Sequence, residues 1–360
     1  MVSGKSNLVH RAGILPPPTP DHTVVEGLGG IWVPPAPPDL VVGEIGALVR
    51  DRDIALIPIP GYWIHKHKEQ PLESRPSPGE KILYHFHGGG YVIGTAHPDG
   101  IVSGRIPKEF LQNSSSPSLR RTFSVEYRLS KPGEPGEGPL FPFPTALVDA
   151  LAGYLYLIKV GFSEEDIILV GDSAGANLAL ALTRYLLSNK GIQPELPKIP
   201  AALVLISPWT DMSQQFLDNP GPHSSQIKNA QRDWLSPLNR GFLHEAAKAF
   251  LGGLPEHIES AYCDPYISPA SPILLGLTSD SATRTISFEK FPRTFIVNGR
   301  FETFYDQILR LGNAMVEDLG EDSVAYYEVD GATHDYMIFD WTFGADRTST
   351  SKKILKWLGL

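Results

Sequence analysis

The chain has 360 residues, of which 42% are apolar and 20% charged, so it can bury a large core and is not disordered by composition. Its 31 basic and 40 acidic side chains give a net charge of −9, which argues against a nucleic-acid-binding protein and against a polybasic membrane anchor. No apolar run is long enough for a membrane span or a signal peptide, and the single cysteine, Cys263, excludes an intrachain disulfide, so we expect a cytoplasmic protein.

The first 50 residues are rich in proline, with large apolar residues between the prolines. We interpret them as an arm packed across the body of the protein, and a polyproline ligand for a partner domain is the alternative. Beyond the arm, short apolar runs alternate with helical patterns. This alternation is typical of a mostly parallel sheet covered by helices on both faces.

The apolar runs and helical patterns predict the following elements. Strands are predicted at residues 54–59 and 62–65, joined as a hairpin through Pro60-Gly61, and at 81–87, 122–127, 167–170, 201–207, 294–298 and 324–329. Helices are predicted at residues 145–160, 174–188 and 305–319, and a last helix ends near Leu358. Residues 208–275 break the alternation, with one helical pattern near 241–251, so we interpret them as containing an insertion over one end of the sheet.

The sequence GDSAG at residues 171–175 places Ser173 directly after a predicted strand and directly before a predicted helix. That is the position of a nucleophile elbow, a strained turn in which bulky residues at Gly171 or Gly175 would clash. The turn would hold the serine oxygen at the carboxyl edge of the sheet, beside the positive end of the helix. A glycine-rich turn without a chemical role is the alternative.

The sequence HGGG at residues 87–90 follows another predicted strand. Acyl transfer needs donors that point at the oxygen that becomes negative, and Gly89 and Gly90 can present bare backbone N–H groups. The N–H of Ala174, the residue after the serine, would be a third donor. We therefore predict an oxyanion hole of Gly89, Gly90 and Ala174, and a flexible glycine loop is the alternative.

A serine nucleophile needs a base and a group that orients the base. His334 follows the last predicted strand, and its late position in the order serine, acid, histidine favours it as the base. Glu302 and Asp306 both follow the strand predicted at 294–298. We favour Glu302, which lies in the loop, because Asp306 is predicted to lie on the next helix and to point elsewhere.

These residues resemble the hormone-sensitive-lipase-like family of α/β-hydrolases, the carboxylesterases with HGGG and GDSAG motifs. The sequences YRL at 127–129, FPFP at 141–144 and DPYISP at 264–269 also follow that family's pattern in order, and the resemblance covers roughly residues 50–355. It implies an α/β-hydrolase fold, with a mostly parallel eight-stranded sheet flanked by helices and a helical cap.

The resemblance also implies a triad of Ser173, Glu302 and His334. The chain departs from the family at Glu302, where an aspartate is usual, although either carboxylate can accept the histidine N–H. It also departs in an insert at residues 130–140, which is acidic and rich in proline and glycine and which we interpret as a solvated loop.

The chain divides into a core and a cap in this interpretation. We expect residues 1–50 to form the arm and contribute to the cap, 51–207 to form the first part of the hydrolase core, 208–253 to form the cap insertion, and 254–360 to form the second part of the core. The candidates for contact with substrate, each explained equally well by ordinary packing, are Tyr91, Phe216, Trp234, Leu238 and Phe242.

The predicted function is a serine carboxylic-ester hydrolase that acts through an acyl-enzyme on an uncharged, apolar ester, with no metal and no organic cofactor. Its expected partner is the small-molecule ester, and the oligomeric state is left open. An acyltransferase or a biosynthetic esterase of secondary metabolism would use the same triad, and a ligand-binding receptor on the same fold is a more distant alternative. Product analysis with an alcohol acceptor distinguishes the transferase, and titration with a fluorophosphonate distinguishes the receptor.

Overall fold

The computed structural model describes residues 30–67, 74–100, 104–133, 138–192, 195–216, 221–235, 239–252, 259–278, 282–339 and 343–360. The arm before Gly30, the centre of the insert at 134–137 and Leu238 lie outside these residues. One eight-stranded sheet organises the described chain, in the strand order β1-β2-β4-β3-β5-β6-β7-β8. Strands β1, β2 and β4 pair antiparallel, and the pairs from β4 through β3 to β8 are parallel.

The strands of this sheet are β1 Gly30–Val33, β2 Ile59–His65, β3 Lys81–Phe86, β4 Leu119–Val125, β5 Ile167–Asp172, β6 Ala202–Ile206, β7 Arg293–Gly299 and β8 Val324–Val329. The α-helices are α1 Gly43–Asp51, α2 Arg105–Asn113, α3 Thr145–Val160, α4 Ala174–Ser188, α5 Ser225–Lys228, α6 His244–Leu251, α7 Ser260–Cys263, α8 Tyr305–Leu319 and α9 Gly344–Leu358. Short 3-10 turns lie at Pro38–Leu40, Glu164–Asp166, Met212–Phe216 and Tyr336–Ile338, and a π-turn at Asn239–Leu243 leads into α6.

The sheet is buried on both faces, as the apolar runs predict. Along β5, Ile167 and Leu169 pack into the core beneath α3, α4 and α8. The alternate residues Ile168 and Val170 pack into the core beneath α2 and α9. A central parallel strand covered on both sides therefore reads as a continuous apolar run rather than an alternating one. The mostly parallel eight-stranded sheet flanked by helices that the sequence predicts is confirmed.

The predicted hairpin at residues 54–65 is wrong. Strand β2 continues through Pro60-Gly61 and pairs antiparallel with β1, with Gly30 opposite Tyr62. Gly61 serves close packing rather than a turn, because a Cβ added there would lie 2.5 Å from the Phe123 ring and 2.8 Å from the Val33 side chain. A glycine at a close approach and a glycine in a turn look alike in a sequence.

Because β3, β5, β7 and β8 run in the same direction, the four loops that follow them lie at one edge of the sheet. The carboxyl ends of β3, β5, β7 and β8 lead into the HGGG loop, Ser173, the Glu302 loop and the His334 loop. Among the helices that the structure describes, none is long and apolar enough to cross a membrane.

Candidate active site

Ser173 lies in a sharp turn between β5 and α4, with φ 51° and ψ −116°. This backbone conformation is costly for a residue with a side chain and persists only where its surroundings hold it. The flanking glycines are required, since a Cβ added to Gly175 would lie 2.1 Å from the carbonyl oxygen of Phe86. A Cβ added to Gly171 would lie 2.3 Å from the backbone of Gly175. The N–H of Ser173 donates to the Ile206 carbonyl at 2.9 Å, which ties the turn to β6.

The structure brings Ser173, His334 and Glu302 together in one line of contacts. The Ser173 Oγ lies 3.0 Å from His334 Nε2. On the other side of the ring, His334 Nδ1 lies 3.0 Å from Glu302 Oε2. The three residues are buried, with relative exposures of 5%, 2% and 0%. A histidine N–H that points at a carboxylate and a second ring nitrogen that faces a hydroxyl are what a general base requires.

Glu302 is held so that one oxygen faces the histidine. Its Oε1 accepts hydrogen bonds from the Ser207 hydroxyl at 2.7 Å and from the Gly299 N–H at 2.5 Å. Burial raises the pKa of this carboxyl, and the hydrogen bond from His334 partly offsets the rise. Asp306 lies in the first turn of α8, where its Oδ2 accepts the Ser225 N–H at 2.7 Å. The structure thus brings Glu302, and not Asp306, to His334.

The glycine loop runs beside the serine. Gly89 and Gly90 have φ values of 111° and 63°, which glycine adopts without strain. A Cβ added to Gly88 would lie 3.2 Å from the Ser173 Cβ, so the loop passes directly alongside the nucleophile. Within the described residues, no protein acceptor takes the N–H of Gly89, Gly90 or Ala174. An oxyanion hole requires backbone N–H groups that the protein itself leaves without an acceptor.

Buried polar side chains next to the glycine loop hold its backbone in place. Asp172 accepts the Gly88 N–H at 2.9 Å and faces His85 Nε2 at 3.1 Å. The His87 ring stacks on Tyr127 with centroids 4.3 Å apart, and the Tyr127 hydroxyl donates to the His87 carbonyl at 2.6 Å. Burial lowers the pKa of His87 to about 4, so its ring is neutral at pH 7. The histidine of HGGG therefore positions the loop.

Asp233, from the segment predicted to be the cap insertion, is a site residue that the sequence analysis missed. Its Oδ1 accepts the backbone N–H of His334 at 3.1 Å. Its Oδ2 accepts the N–H and the hydroxyl of Thr303 at 2.7 and 3.0 Å. The side chain is 2% exposed. One carboxylate thus connects the histidine loop to the loop of Glu302, and because it stands in a polar stretch without a motif, no sequence signal marks it.

Asp335 is a second residue that the sequence analysis missed. Its Oδ2 lies 3.3 Å from His334 Nε2, and its side chain is buried. Burial raises the pKa of this carboxyl well above its ordinary value, although His334 beside it acts in the opposite direction. Burial lowers the pKa of His334, but the carboxylates of Asp335 and Glu302 more than offset that effect, so the pKa of the imidazole is raised.

The candidate substrate contacts lie in different surroundings. Tyr91 is 1% exposed, stacks on Phe250 with centroids 3.9 Å apart and donates its hydroxyl to Asn177 at 2.7 Å, so it lies in the core behind the glycine loop. Trp234 is 40% exposed, and its indole N–H donates to the His334 carbonyl at 2.6 Å. Phe242 lies over the glycine loop, 3.7 Å from the position of a Cβ on Gly90. The backbone of Phe216 ends the turn Met212–Phe216.

Comparison with known proteins decides the family. A family model described as the alpha/beta hydrolase fold matches residues 83–338. The chain belongs to the α/β-hydrolase fold family. An esterase of Acinetobacter venetianus is 31% identical to this hydrolase over 133 residues, which are 37% of this chain and 37% of that protein. An acetyl-hydrolase of Streptomyces hygroscopicus is 27% identical over 258 residues, 67% of this chain and 74% of that protein.

The resemblance to hormone-sensitive lipases is confirmed as well. Mouse hormone-sensitive lipase is 31% identical to this hydrolase over 121 residues, 31% of this chain and 14% of that protein. The crystal structure of an esterase from the bacterial hormone-sensitive lipase family shares the fold, with a TM-score of 0.57 at 24% identity over 83% of this chain and 80% of that one.

Proposed function

We propose that this hydrolase is a serine carboxylic-ester hydrolase that works through an acyl-enzyme with Ser173, His334 and Glu302. The observation that carries the proposal is the line of two 3.0 Å contacts from the serine hydroxyl through the imidazole to the carboxylate, at a strained turn beside free backbone donors. Relatives named esterase and acetyl-hydrolase support the same chemistry.

This geometry supports the following course of acylation. His334 Nε2 takes the proton of the Ser173 hydroxyl as Oγ attacks the ester carbonyl, while Glu302 holds the other ring nitrogen in its N–H form. The carbonyl oxygen becomes negative and accepts hydrogen bonds from the N–H groups of Gly89, Gly90 and Ala174. The intermediate then expels the alkoxide, which receives the proton from Nε2 and leaves as the alcohol.

Deacylation repeats the sequence with water. His334 removes a proton from a water molecule, whose oxygen attacks the acyl carbon. The same three N–H groups hold the second oxyanion. Its collapse breaks the bond to Ser173 Oγ, which recovers its proton from His334, and the carboxylic acid is released.

The surroundings of the serine support an uncharged, apolar substrate over an anionic one. The carboxyl groups of Asp172, Asp233, Glu302 and Asp335 are all buried near the triad, and a substrate carboxylate would add a like charge in a region of low dielectric. Phe242, over the glycine loop, supports an apolar acyl or alcohol group. We further propose that residues 208–253, with a contribution from the arm at residues 1–50, form the cap over a core of residues 51–207 and 254–360. Part of the arm belongs to the core instead, because β1 Gly30–Val33 pairs with β2 at the edge of the sheet.

The test is the Ser173→Ala variant on p-nitrophenyl esters of increasing chain length. We expect the variant to fold normally and to lose about 10⁴-fold or more in kcat. A fluorophosphonate probe should label the wild-type protein at Ser173 and should not label the variant. A variant that keeps substantial esterase activity would contradict the proposal, and product analysis with an added alcohol separates hydrolysis from acyl transfer.

A further inference from the structure

A carboxyl group lies close to each of the two ring nitrogens of His334. Glu302 faces Nδ1 at 3.0 Å, as a triad requires. On the other side, Asp335 Oδ2 lies 3.3 Å from Nε2, which also faces the Ser173 hydroxyl at 3.0 Å. Two oxygens therefore compete for the nitrogen that has to accept the serine proton. This second carboxyl has no part in the mechanism described above.

The backbone holds Asp335 in this position. The residue adopts a left-handed conformation, φ 51° and ψ 35°, which aspartate and asparagine tolerate better than most residues. Its N–H donates to Ser207 Oγ at 3.1 Å, and its carbonyl accepts the Ile338 N–H at 2.9 Å. The residue is 4% exposed, and its Oδ1 has no hydrogen-bond partner among the described residues. The fold thus fixes the backbone from which this side chain reaches the imidazole.

The contact between Asp335 and Nε2 requires a proton. A carboxylate oxygen and a nitrogen lone pair are both acceptors, so they repel each other at 3.3 Å unless one of them carries a hydrogen. The other charged groups that face Asp335 are Asp172, Asp233 and Glu302, and each disfavours a further negative charge there. While a proton occupies this contact, Nε2 has no lone pair free for the Ser173 hydroxyl.

We propose that Asp335 is a positioning residue that holds a proton between its carboxyl and His334 Nε2 in the resting enzyme. The proposal rests on the proposed roles of Ser173 and His334. The shared proton has to leave to solvent before Ser173 can transfer its own proton to Nε2. During acyl transfer, the carboxylate then accepts a hydrogen bond from the imidazolium that forms. As a result, the fall of kcat/KM on the acid side of its pH profile (the acid limb) occurs at higher pH than it would with the triad alone.

The test is the pH profile of kcat/KM for Asp335→Asn and Asp335→Gly. Both residues tolerate the left-handed backbone, and both remove the carboxyl. We expect the acid limb to move to lower pH by one unit or more, which raises kcat/KM at pH 6 about tenfold relative to the plateau. The matched control is Asp330→Asn, which removes an exposed charge from the same turn and should leave the limb in place.

A direct titration separates this proposal from the proposed function. In a Ser173→Ala background, the imidazole nitrogens of His334 are followed by ¹⁵N NMR, with the signal assigned through His334→Gln. We expect Asp335→Asn to lower the pH at which Nε2 loses its proton by one unit or more, whether or not the enzyme cleaves esters. If Asp335→Asn does not fold, the glycine variant replaces it. A His334 titration that is the same with and without the Asp335 carboxyl overturns the proposal.

Discussion

Replacement of Glu302 by glutamine tests the third member of the proposed triad. In the native site, Oε1 accepts two donors, the Ser207 hydroxyl and the fixed Gly299 N–H, while Oε2 faces His334. A glutamine satisfies both donors only if its oxygen takes the place of Oε1. Its NH₂ group then points at Nδ1 of His334, where a second donor is not tolerated.

The expected loss follows from the tautomer. With an amide N–H against Nδ1, the ring has to carry its proton on Nε2, and the Asp335 carboxyl at 3.3 Å stabilises that form. A protonated Nε2 cannot accept the serine proton, and the neutral amide does not stabilise an imidazolium. The analogous change in another serine hydrolase costs about 10⁴-fold, so we expect kcat to fall by about 10²–10⁴-fold.

The assay is kcat on a p-nitrophenyl ester at equal folded fraction, judged from thermal melts. Asp306→Asn is the matched control, because it makes the same chemical change four residues later. There we expect near-normal kinetics and a stability change of about 0.3–1 kcal/mol, since Asp306 lies in the first turn of a helix. If Asp306→Asn loses most of its activity while Glu302→Gln is nearly normal, Glu302 is not the third member of the triad.

Three more outcomes are expected. The neighbouring carboxylates raise the pKa of His334 above the ordinary histidine value of 6.5, and only the neutral ring can act as the base. We therefore expect kcat/KM to fall as the pH drops through this raised pKa. A profile that stays flat down to pH 5 would show that His334 is not the base. Asp233→Ala leaves buried donors without an acceptor, so it should lower the free energy of unfolding in urea by about 1–3 kcal/mol for each donor, and it should also lower kcat. If neither stability nor kcat changes, Asp233 does not bridge the two loops. Gly175→Ala should lower the melting temperature, because the added Cβ would clash with the Phe86 carbonyl oxygen. Gly344→Ala is the control and should leave the melting temperature unchanged, since an added Cβ there meets nothing within 4 Å. Equal melting temperatures for the two variants would show that the turn at Ser173 can shift to accommodate the methyl group.

Much of the fold and part of the site could be predicted from the sequence, because the signals there are local. The helices at residues 145–160, 174–188 and 305–319 begin and end where the apolar spacing predicts. The elbow is recognisable since a strand, two glycines around a serine and a helix are contiguous in the chain. Helices α1 and α2 were missed, and both are short helices of nine residues beside loops.

The remaining site residues depend on contacts between distant segments. Asp233 reaches His334 across about a hundred residues, so only the folded chain shows that it bridges two loops. Asp335 follows the predicted base directly, yet its side-chain direction depends on a left-handed backbone that the sequence analysis did not anticipate. The hairpin prediction failed for a related reason, because Gly61 is needed by Phe123 on the neighbouring strand.

The position of Asp233 bears on how this enzyme can change or be re-engineered. The residue belongs to the segment that we propose as the cap insertion, yet its carboxylate holds the backbone of both the histidine loop and the Glu302 loop. We therefore expect that this segment cannot be exchanged independently of the catalytic loops. A chimaera that carries the corresponding segment of a relative needs an acceptor at this point, and a graft chosen for its pocket alone would disturb the catalytic groups together with the specificity.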